Sequence, residues 1–306
     1  MSRALGVLLG FAADRVLGDP RRYHPVAGFG RTAGWLEQQM YGDSRRRGAG
    51  YTAVLVGATA ALGVAVERAC RRHSVLHTAV TAAATWAVLG ARSLEREAEA
   101  MAELLEEKDI PGARNRLSHL CARDATDLEA DELARATVES VAENTSDACV
   151  APLLWGGLLG VPGLLGYRAV NTLDAMVGYR SPRYEDFGWA SARLDDLVNL
   201  LPARVCALLT GLASGRPRET VAVWRRDAPK HPSPNAGPVE AAFAGALGLT
   251  LGGTNSYGSY QEDRGTLGDG PAPTVADVRR TAELARRVGI AAAGLAAVLG
   301  KGKRWI

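Results

Sequence analysis

The sequence predicts an all-α protein: a polytopic bundle of membrane helices connected by cytoplasmic helical loops. Residues 49–66, 73–91 and 148–167 carry no charged side chain if the histidines are neutral. At about 1.5 Å of rise per residue, each run approaches the roughly 30 Å thickness of bilayer hydrocarbon. Between residues 92 and 147, apolar side chains recur at helical spacing beside acidic ones, which predicts amphipathic helices. We therefore expect one membrane domain over residues 1–306.

The mean hydropathy of −0.05 is low for a polytopic protein. It leaves open a soluble, alanine-rich protein with buried helices. Three uncharged runs of spanning length are difficult to bury in one soluble core, so the membrane interpretation is preferred. The net charge of +3 is mild, and no basic cluster is interleaved with aromatic residues, which argues against nucleic acid. Four scattered cysteines without a C-x-x-C pair predict neither disulfides nor a zinc site.

The first apolar run, residues 4–18, is expected to be an uncleaved helix rather than a signal peptide, because Asp14 and Arg15 interrupt it. Basic residues at 21–22, 31 and 45–47 then favour a cytoplasmic loop. The run 148–167 contains two prolines and five glycines, which weaken or break a helix. We expect a broken or re-entrant helix there, which would bring the polar stretches on both sides of it to one membrane face.

Three acids stand four residues apart before this broken segment: Glu139, Glu143 and Asp147. Residues four apart share one helix face, so the stripe needs water, a cation or a basic ligand beside it. The helix that carries them is expected to begin at the capping-box pattern of residues 126–129, after Ile110-Pro-Gly ends the preceding helix. His73 and His77 lie in an apolar run and are expected to pack in the interior.

Two further segments are rich in polar groups. Within 168–204, Asp195 and Asp196 with Asn199 suit a hard cation that prefers oxygen ligands, although an ordinary helix surface is the alternative. Within 227–237, three prolines stiffen a loop that presents Lys230 and His231. This loop suits phosphate contact or proton transfer, and a plain connector is the alternative. A glycine-rich turn is expected at 248–255, and no P-loop motif occurs.

These segments occur in an order that resembles the CobD/CbiB family, the adenosylcobinamide-phosphate synthases. The resemblance extends from residue 5 to about residue 290. It rests on the following motifs: Gly18-Asp-Pro, His24-Pro, Arg123-Asp, Glu139-Ser-Val-Ala-Glu-Asn-Thr-Ser-Asp147, Tyr167-Arg-Ala-Val-Asn-Thr-Leu-Asp174, Gly178-Tyr-Arg180, Ala192-Arg-Leu-Asp-Asp196, Pro202-Ala-Arg204, Lys230-His-Pro-Ser-Pro-Asn-Ala-Gly237, Glu240-Ala-Ala and Leu251-Gly-Gly253. One departure is local, since Ala125 and Thr126 stand where the family more often has Thr-Ser.

The resemblance implies an integral membrane enzyme of cobalamin biosynthesis. It would join aminopropanol, or its phosphate, to the free propionate of adenosylcobyric acid through an amide bond, driven by ATP with Mg²⁺. The corrinoid is then the substrate. The expected location is the cell membrane, multi-pass, with the active site facing the cytoplasm and contact with other late cobalamin-pathway membrane enzymes. Which amine is used, the nucleotide-binding mode, the number of spans and the oligomeric state stay open.

Residue chemistry suggests the individual roles. Amide formation from a carboxylate needs activation, phosphate neutralisation and deprotonation of an ammonium group. The expected catalytic residues are Glu143, Asn144, Lys230 and His231. The expected substrate-binding residues are Asn171, Asp174, Arg180, Arg193 and Asn235. The expected Mg²⁺ or ammonium ligands are Asp147, Asp195 and Asp196, together with Glu143. We expect these groups to converge at the membrane boundary.

Two other classes of function compete. A membrane carrier or scaffold for corrinoids would need a polar path through the apolar runs, yet 49–66 and 73–91 offer no ionisable group besides two histidines. A membrane phosphotransferase acting on lipid alcohols would need closely spaced aspartates within one helical stretch. The acids of this chain are instead distributed over two separated segments.

Overall fold

The protein is nearly all-α, as the sequence predicts. A computed structural model describes residues 1–19, 24–179, 181–256 and 261–301. The helices are α1 (Ser2–Leu17), α2 (Pro25–Met40), α3 (Arg45–Cys70), α4 (Ser74–Val88), α5 (Ala91–Glu106), α6 (Ile110–Leu117), α7 (Ala130–Thr145), α8 (Ala151–Leu159), α9 (Val161–Leu173), α10 (Trp189–Ser214), α11 (Pro217–Asp227), α12 (Ala236–Leu247) and α13 (Val275–Leu299). Short π-helical turns occupy Ser146–Val150 and Asp174–Gly178, a 3₁₀ turn occupies Ala228–Lys230, and the strands are β1 (Leu251–Ser256) and β2 (Gln261–Leu267).

The chain forms two compact units. Unit 1 contains Met1–Gly90, Ala151–Asn199 and Ala293–Ile306, and unit 2 contains Ala91–Val150 and Leu200–Ala292. The expectation of a single domain over 1–306 stays a prediction.

Three helical stretches of the described chain are long and apolar enough to cross a membrane: Arg45–Cys70, Ser74–Glu106 and Trp189–Ser214. Only 22–39% of the apolar window of each is buried within the protein. Large apolar side chains along α10, such as Leu197, Leu208 and Leu212, are exposed. A surface of this kind is suited to lipid, because exposure of large apolar side chains to water is unfavourable. The structure thus favours a membrane protein over the soluble alternative.

Unit 1 is held together by close helix packing. In α1, Gly6 and Gly10 lie where a Cβ atom would collide with Thr81 and Thr85 of α4. Small residues at this spacing let two helix backbones approach closely, as in membrane helix pairs. Tyr51, Leu173 and Phe187 belong to a buried cluster in the same unit. The first apolar run is therefore a packed helix, as the sequence predicts.

The predicted break in 148–167 is confirmed. A π-helical turn precedes α8, and Gly160 separates α8 from α9 with a φ angle of 72°. A positive φ favours glycine, and Pro162 lies in the first turn of α9, where its missing N–H is harmless. Arg3 donates to the carbonyl of Leu158, and the Val161 N–H donates to Glu67. Side chains from α1 and α3 thus satisfy the backbone groups that the break exposes.

Unit 2 packs α5, α6, α7, α12 and the first part of α13 around a core that includes Met101, Leu117, Leu133 and Val278. An antiparallel hairpin, β1–β2, pairs Leu251 with Leu267 and carries a β-bulge near Gly252. The sequence interpretation expected only a glycine-rich turn at 248–255. That expectation is incomplete, because Gly248 ends α12 in the left-handed conformation and the strand begins three residues later.

Two predicted helix boundaries are wrong. Residues 110–112 begin α6 instead of ending the preceding helix, because Pro111 lies in the first turn and Asp109 caps the Gly112 N–H. Helix α7 begins at Ala130 rather than at residue 126. Its capping box uses Glu129 and Glu132, so Glu132 has a local structural role and is not merely a solvated acid.

Candidate functional site

Four titratable or charged side chains meet in unit 2. Glu143 comes from α7, His231 follows the 3₁₀ turn, Glu240 comes from α12 and Arg264 comes from β2. Arg264 Nη1 lies 2.8 Å from Glu143 Oε1 and 3.0 Å from Glu240 Oε1. His231 Nε2 lies 3.3 Å from Glu240 Oε1. We call these four residues the Glu143–Glu240 cluster.

The side chains of the cluster lie mostly below the protein surface. The side chain of Glu240 is fully buried, and that of His231 is 1% exposed. Arg264 and Glu143 are 14% and 25% exposed, respectively. Glu143 is therefore the member through which a small molecule would first contact the cluster.

Two buried carboxylates hold the base of the hairpin that carries Arg264. The Gly252 N–H donates to Glu139 Oε1 at 2.8 Å, and the Gly268 N–H donates to Asp227 Oδ2 at 2.8 Å. A buried carboxylate that accepts such bonds stabilises its partners strongly in a low dielectric. Both strands are thus anchored at the base of the hairpin, and these backbone anchors position β2, which carries Arg264.

Each anchoring acid is neutralised by basic groups of the same unit. Glu139 pairs with Arg123 and Arg135, and Arg135 also donates to the carbonyl of Gly252. The partners of Glu139 and Glu143 in the predicted acidic stripe are therefore arginines of the protein itself. Asp147, the third member, lies in the π-helical turn Ser146–Val150, beyond the end of α7.

The electrostatics separate the two acids of the cluster. Burial and then the charges of Glu143 and Glu139 raise the pKa of Glu240 well above its ordinary value. Burial also disfavours ionised Glu143, but Arg264 and a hydrogen bond with Glu240 lower the pKa of Glu143 overall. The two shifts have opposite directions, so Glu240 is the acid that binds a proton more readily, and Glu143 is the acid that more readily faces the guanidinium in ionised form.

The histidine of the cluster is neutral and has a defined tautomer. Burial and the positive charge of Arg264 lower the pKa of His231. Its Nδ1 accepts a hydrogen bond of 3.0 Å from the Ser233 N–H, so the ring proton is on Nε2, which lies 3.3 Å from Glu240 Oε1.

Ligand atoms of Glu143, His231 and Glu240 lie within 4.8 Å of one another. A histidine that binds a metal through Nε2 normally donates from its other ring nitrogen. His231 Nδ1 accepts instead, and the Arg264 guanidinium bridges the two carboxyl groups. This arrangement suits a nitrogen cation better than a transition metal.

A groove of about 380 Å³ reaches the cluster at His231. Its lining includes Trp224 and Arg225 of α11 and Arg204 of α10, together with the prolines of the 227–237 loop. Arg204 donates to the Pro234 carbonyl and to Asn235, and so holds the loop in place. The groove presents guanidinium groups and an aromatic face, which are suited to an anionic ligand.

Lys230, on the same loop, forms an ion pair with the buried carboxylate of Asp227 at 2.7 Å. Asp227 also accepts two hydrogen bonds from Arg226, and these cations hold the pKa of Asp227 far below its ordinary value. Lys230 nevertheless remains half-exposed. It can present donors to a ligand while its ammonium group is held in one position.

A second acidic group lies in unit 1. Burial and the charge of Asp196 raise the pKa of Asp174 to about 6. Arg193 lies 3.8 Å from Asp196 and is mostly exposed. Asn199 donates to Asp195 at 2.9 Å and accepts from the hydroxyl of Tyr167. The amide of Asn199 thus orients Asp195, whereas the charge of Asp196 acts on Asp174.

The remaining predicted residues have local partners. Asn144 donates to the Ser140 carbonyl one turn earlier, and Asn171 accepts from Arg168 at 3.0 Å. Arg180 lies outside the described residues. Glu143, His231, Lys230, Asn235, Asn144 and Asp147 belong to unit 2, whereas Asn171, Asp174, Arg193, Asp195 and Asp196 belong to unit 1. Convergence of the two sets stays a prediction.

Sequence reasoning missed Glu240 and Arg264 as site residues. Glu240 is the only charged residue in the apolar helix α12, and this isolation is a usable signal because lone buried acids need a partner. Arg264 is one of several charged residues in β2, and no sequence pattern distinguishes it. The prediction that both histidines of the apolar run pack in the interior is confirmed for His77, whose Nε2 lies 2.8 Å from Glu67 in unit 1, and is wrong for His73, which is exposed just before α4.

Comparison with known proteins supports one family. The family model described as CobD/Cbib protein matches residues 7–285. The cobalamin biosynthesis protein CobD of Mycobacterium tuberculosis is 53% identical over 97% of this chain and 96% of that protein. Proteins of the same name from Chromobacterium violaceum and Rhodobacter capsulatus are 43% and 41% identical, over 94% and 98% of this chain and 93% and 97% of their own lengths. No solved structure matches the chain. With similarity of this extent over nearly its whole length, the chain belongs to the CobD/CbiB family.

Proposed function

We propose that this protein is a membrane enzyme of late cobalamin biosynthesis. It joins adenosylcobyric acid to aminopropanol, or to aminopropanol phosphate, through an amide bond. The observation that carries the proposal is the 53% identity, over nearly the full length of both chains, to a cobalamin biosynthesis protein CobD. The Glu143–Glu240 cluster and the basic groove beside it supply groups suited to this chemistry.

The proposed reaction uses ATP to activate the corrin carboxylate as an acyl phosphate. The amine then attacks the acyl carbon, the C–N bond forms, and phosphate leaves. The protein has to bind the phosphorylated groups, hold the amine and remove its protons. Lys230, Arg204 and Arg225 suit the phosphate contacts, and His231 and the acids of the cluster suit the proton transfers.

Mg²⁺ accompanies ATP as a co-substrate in this proposal. A hard cation requires oxygen ligands, and a bound cation would offset both the burial and the charge of Asp196 that raise the pKa of Asp174. Asp174 and Asp196 therefore fit the metal better than the consecutive pair Asp195 and Asp196, whose side chains leave the helix in different directions. When bound, the metal would neutralise phosphate charge during activation.

The proposed location is the cell membrane, with several spans and a site open to the cytoplasm. The three apolar helices and their exposed side chains support the membrane location. Contact with other membrane enzymes of the pathway would shorten the transfer of a large corrinoid intermediate.

One reaction separates this function from its competitors. Detergent-solubilised protein is incubated with adenosylcobyric acid, aminopropanol phosphate, ATP and Mg²⁺, and the corrinoids are resolved by mass. We expect an amide product and one ADP for each amide. A carrier or scaffold would return unmodified corrinoid, and a lipid phosphotransferase would leave the corrinoid carboxylate free. Unphosphorylated aminopropanol in a parallel reaction identifies the preferred amine.

A further inference from the structure

The second carboxyl oxygen of Glu240 lacks a hydrogen-bond donor among the described residues whenever the two acids of the cluster are without their shared proton. Glu240 Oε2 is fully buried, and none of the described residues offers it a hydrogen-bond donor. Arg264 contacts Oε1 of both acids, and His231 also faces Oε1 of Glu240. While the two acids share a proton, the Glu143 carboxyl satisfies Oε2, and once that proton leaves, Oε2 needs a donor from a ligand. A buried acceptor without a donor is unfavourable by about 1–3 kcal/mol, more for a charged group.

We propose that Glu240 and Glu143 together form the receptor for the primary ammonium group of the amine substrate, and that Glu240 takes the proton the amine loses. This inference rests on the proposed function and adds to it a residue for amine recognition. An ammonium group has three N–H donors, and Glu240 Oε2 is a buried acceptor beside the Glu143 carboxyl.

Arg264 indicates the kind of ligand that the acids accept. Its Nη1 is a cationic nitrogen within 3.0 Å of an oxygen from each carboxyl group. A substrate ammonium would make equivalent contacts with the remaining oxygens. Because Arg264 keeps its own contacts, one positive charge remains at the cluster before and after the amine reacts.

The proton balance follows from the charges that face the pair. Glu139 lies on α7 with Glu143, Arg264 and Glu262 lie on β2, and His231 lies on the loop. Before the amine binds, the opposite pKa shifts of the two acids favour ionised Glu143 and protonated Glu240. Entry of an ammonium group adds one positive charge, which favours release of the Glu240 proton.

Reaction then reverses this release. The bound R–NH₃⁺ transfers one proton to the Glu240 carboxylate and becomes R–NH₂. The nitrogen lone pair forms the C–N bond with the acyl phosphate, and the C–O bond to phosphate breaks with its electrons on phosphate. The second proton lost from nitrogen goes to the departing phosphate or to water. Burial makes protonated Glu240 the favoured product of the transfer.

Direct binding tests this proposal without relying on turnover. Calorimetry compares aminopropanol phosphate with the same phosphate carrying a hydroxyl in place of the amine. Each titration is repeated in two buffers of different ionisation enthalpy, which counts released protons. The variants are Glu240→Gln, which keeps the shape of the side chain, and Glu107→Gln, a matched control at an exposed position of the same unit. Thermal unfolding confirms that both variants are folded.

For the parent and Glu107→Gln we expect tighter binding of the amine than of the hydroxyl compound, with release of up to one proton. For Glu240→Gln we expect amine binding to weaken about 10- to 100-fold, the loss of one charge-assisted hydrogen bond, with no proton release and with hydroxyl-compound binding unchanged. Equal binding of the amine by parent and Glu240→Gln would overturn the proposal. Equal weakening of both ligands would overturn it as well, because the effect would not concern the amine.

Failure of this inference is distinguishable from failure of the proposed function. If the parent forms the amide and Glu240→Gln forms it at the same rate and pH profile, the inference is wrong and the function stands. If the parent forms no amide, the proposed reaction is wrong, and the calorimetry still decides whether the cluster recognises an ammonium group.

Discussion

Arg3 and Glu67 form an ion pair of 3.2 Å that serves both sides of the helix break at Gly160. Arg3 donates to the Leu158 carbonyl near the end of α8, and Glu67 accepts from the Val161 N–H at the start of α9. A cation thus stands at a helix C-terminus and an anion at a helix N-terminus, which is the favourable direction for both helix dipoles. His77 adds a third contact to Glu67.

Removal of the acid from this pair should destabilise unit 1. Glu67→Ala leaves Arg3 and the Val161 N–H without their buried acceptor. We expect a loss of about 3–5 kcal/mol, the range for breaking a buried pair by removal of one partner. Thermal unfolding in detergent measures the change. The exposed Glu185→Gln variant is the control and should unfold as the parent does. Equal stability of Glu67→Ala and parent would refute the structural role of the pair.

Gly160 should be intolerant of a side chain. Gly160→Ala places a Cβ atom at a φ of 72°, beside Glu67 and Arg3. The left-handed conformation alone is unfavourable by roughly 1–2 kcal/mol for a residue with a Cβ atom. Gly57→Ala is the matched control, since a Cβ there meets no atom within 4 Å. That change should be neutral or stabilising by up to about 1 kcal/mol, because alanine is the better helix former. Equal melting temperatures for the two variants would contradict the break.

Glu240→Gln should increase stability while it impairs amine binding. The pKa of Glu240 is raised in the folded state, so protonated Glu240 is favoured there. As the pH rises above the ordinary value of about 4.3, the unfolded chain releases this proton and the folded protein retains it, and stability falls. Glutamine cannot ionise. The variant should therefore gain on the parent as the pH rises, by about 1.4 kcal/mol for each unit of pKa difference.

Unfolding measured from pH 4 to pH 8 tests this trend, with the exposed Glu107→Gln variant as the control. A stability difference between Glu240→Gln and parent that does not change with pH would show that Glu240 is not protonated in the folded protein.

Asp227 should stabilise unit 2 with the opposite pH dependence. Arg226 and Lys230 hold its pKa below the ordinary value in the folded state. Its contribution is fully present above the unfolded pKa of about 3.9 and is lost as the pH falls towards the folded value. Asp227→Asn should be less stable than the parent by a constant amount from pH 5 to pH 8. The difference should shrink only below about pH 4. A gap that closes between pH 6 and pH 7 would exclude this ion-pair network as its source.

Mg²⁺ should raise the melting temperature through Asp174. Its pKa of about 6 means that the folded protein retains this proton between about pH 4 and pH 6. A metal ion competes with the proton, so stabilisation by Mg²⁺ should be full above pH 7 and weak below pH 5. Asp174→Asn should abolish the shift, whereas the exposed Asp43→Asn variant should retain it. A shift that persists in Asp174→Asn would place the metal elsewhere.

Much of the architecture was predictable because its signals are local. Long runs without a charged residue identified the apolar part of α3 and the whole of α4, because such runs favour lipid over water. The glycines and prolines of 148–167 identified the break, because they act on the backbone directly. Boundaries such as residues 110–112 were wrong because proline can end one helix or begin the next, and only the position of Asp109 decides which.

The sequence by itself determined a helical membrane protein with an acidic helix and a stiff loop carrying His231. Only the tertiary structure decided which charges meet. Arg264 lies 121 residues from Glu143 along the chain and 24 from Glu240, yet it contacts both. Charge pairing depends on distance in space and on exclusion of water, and neither is a function of residue spacing. The fold therefore turned an ordinary glutamate of α12 into a buried acid that shares a proton.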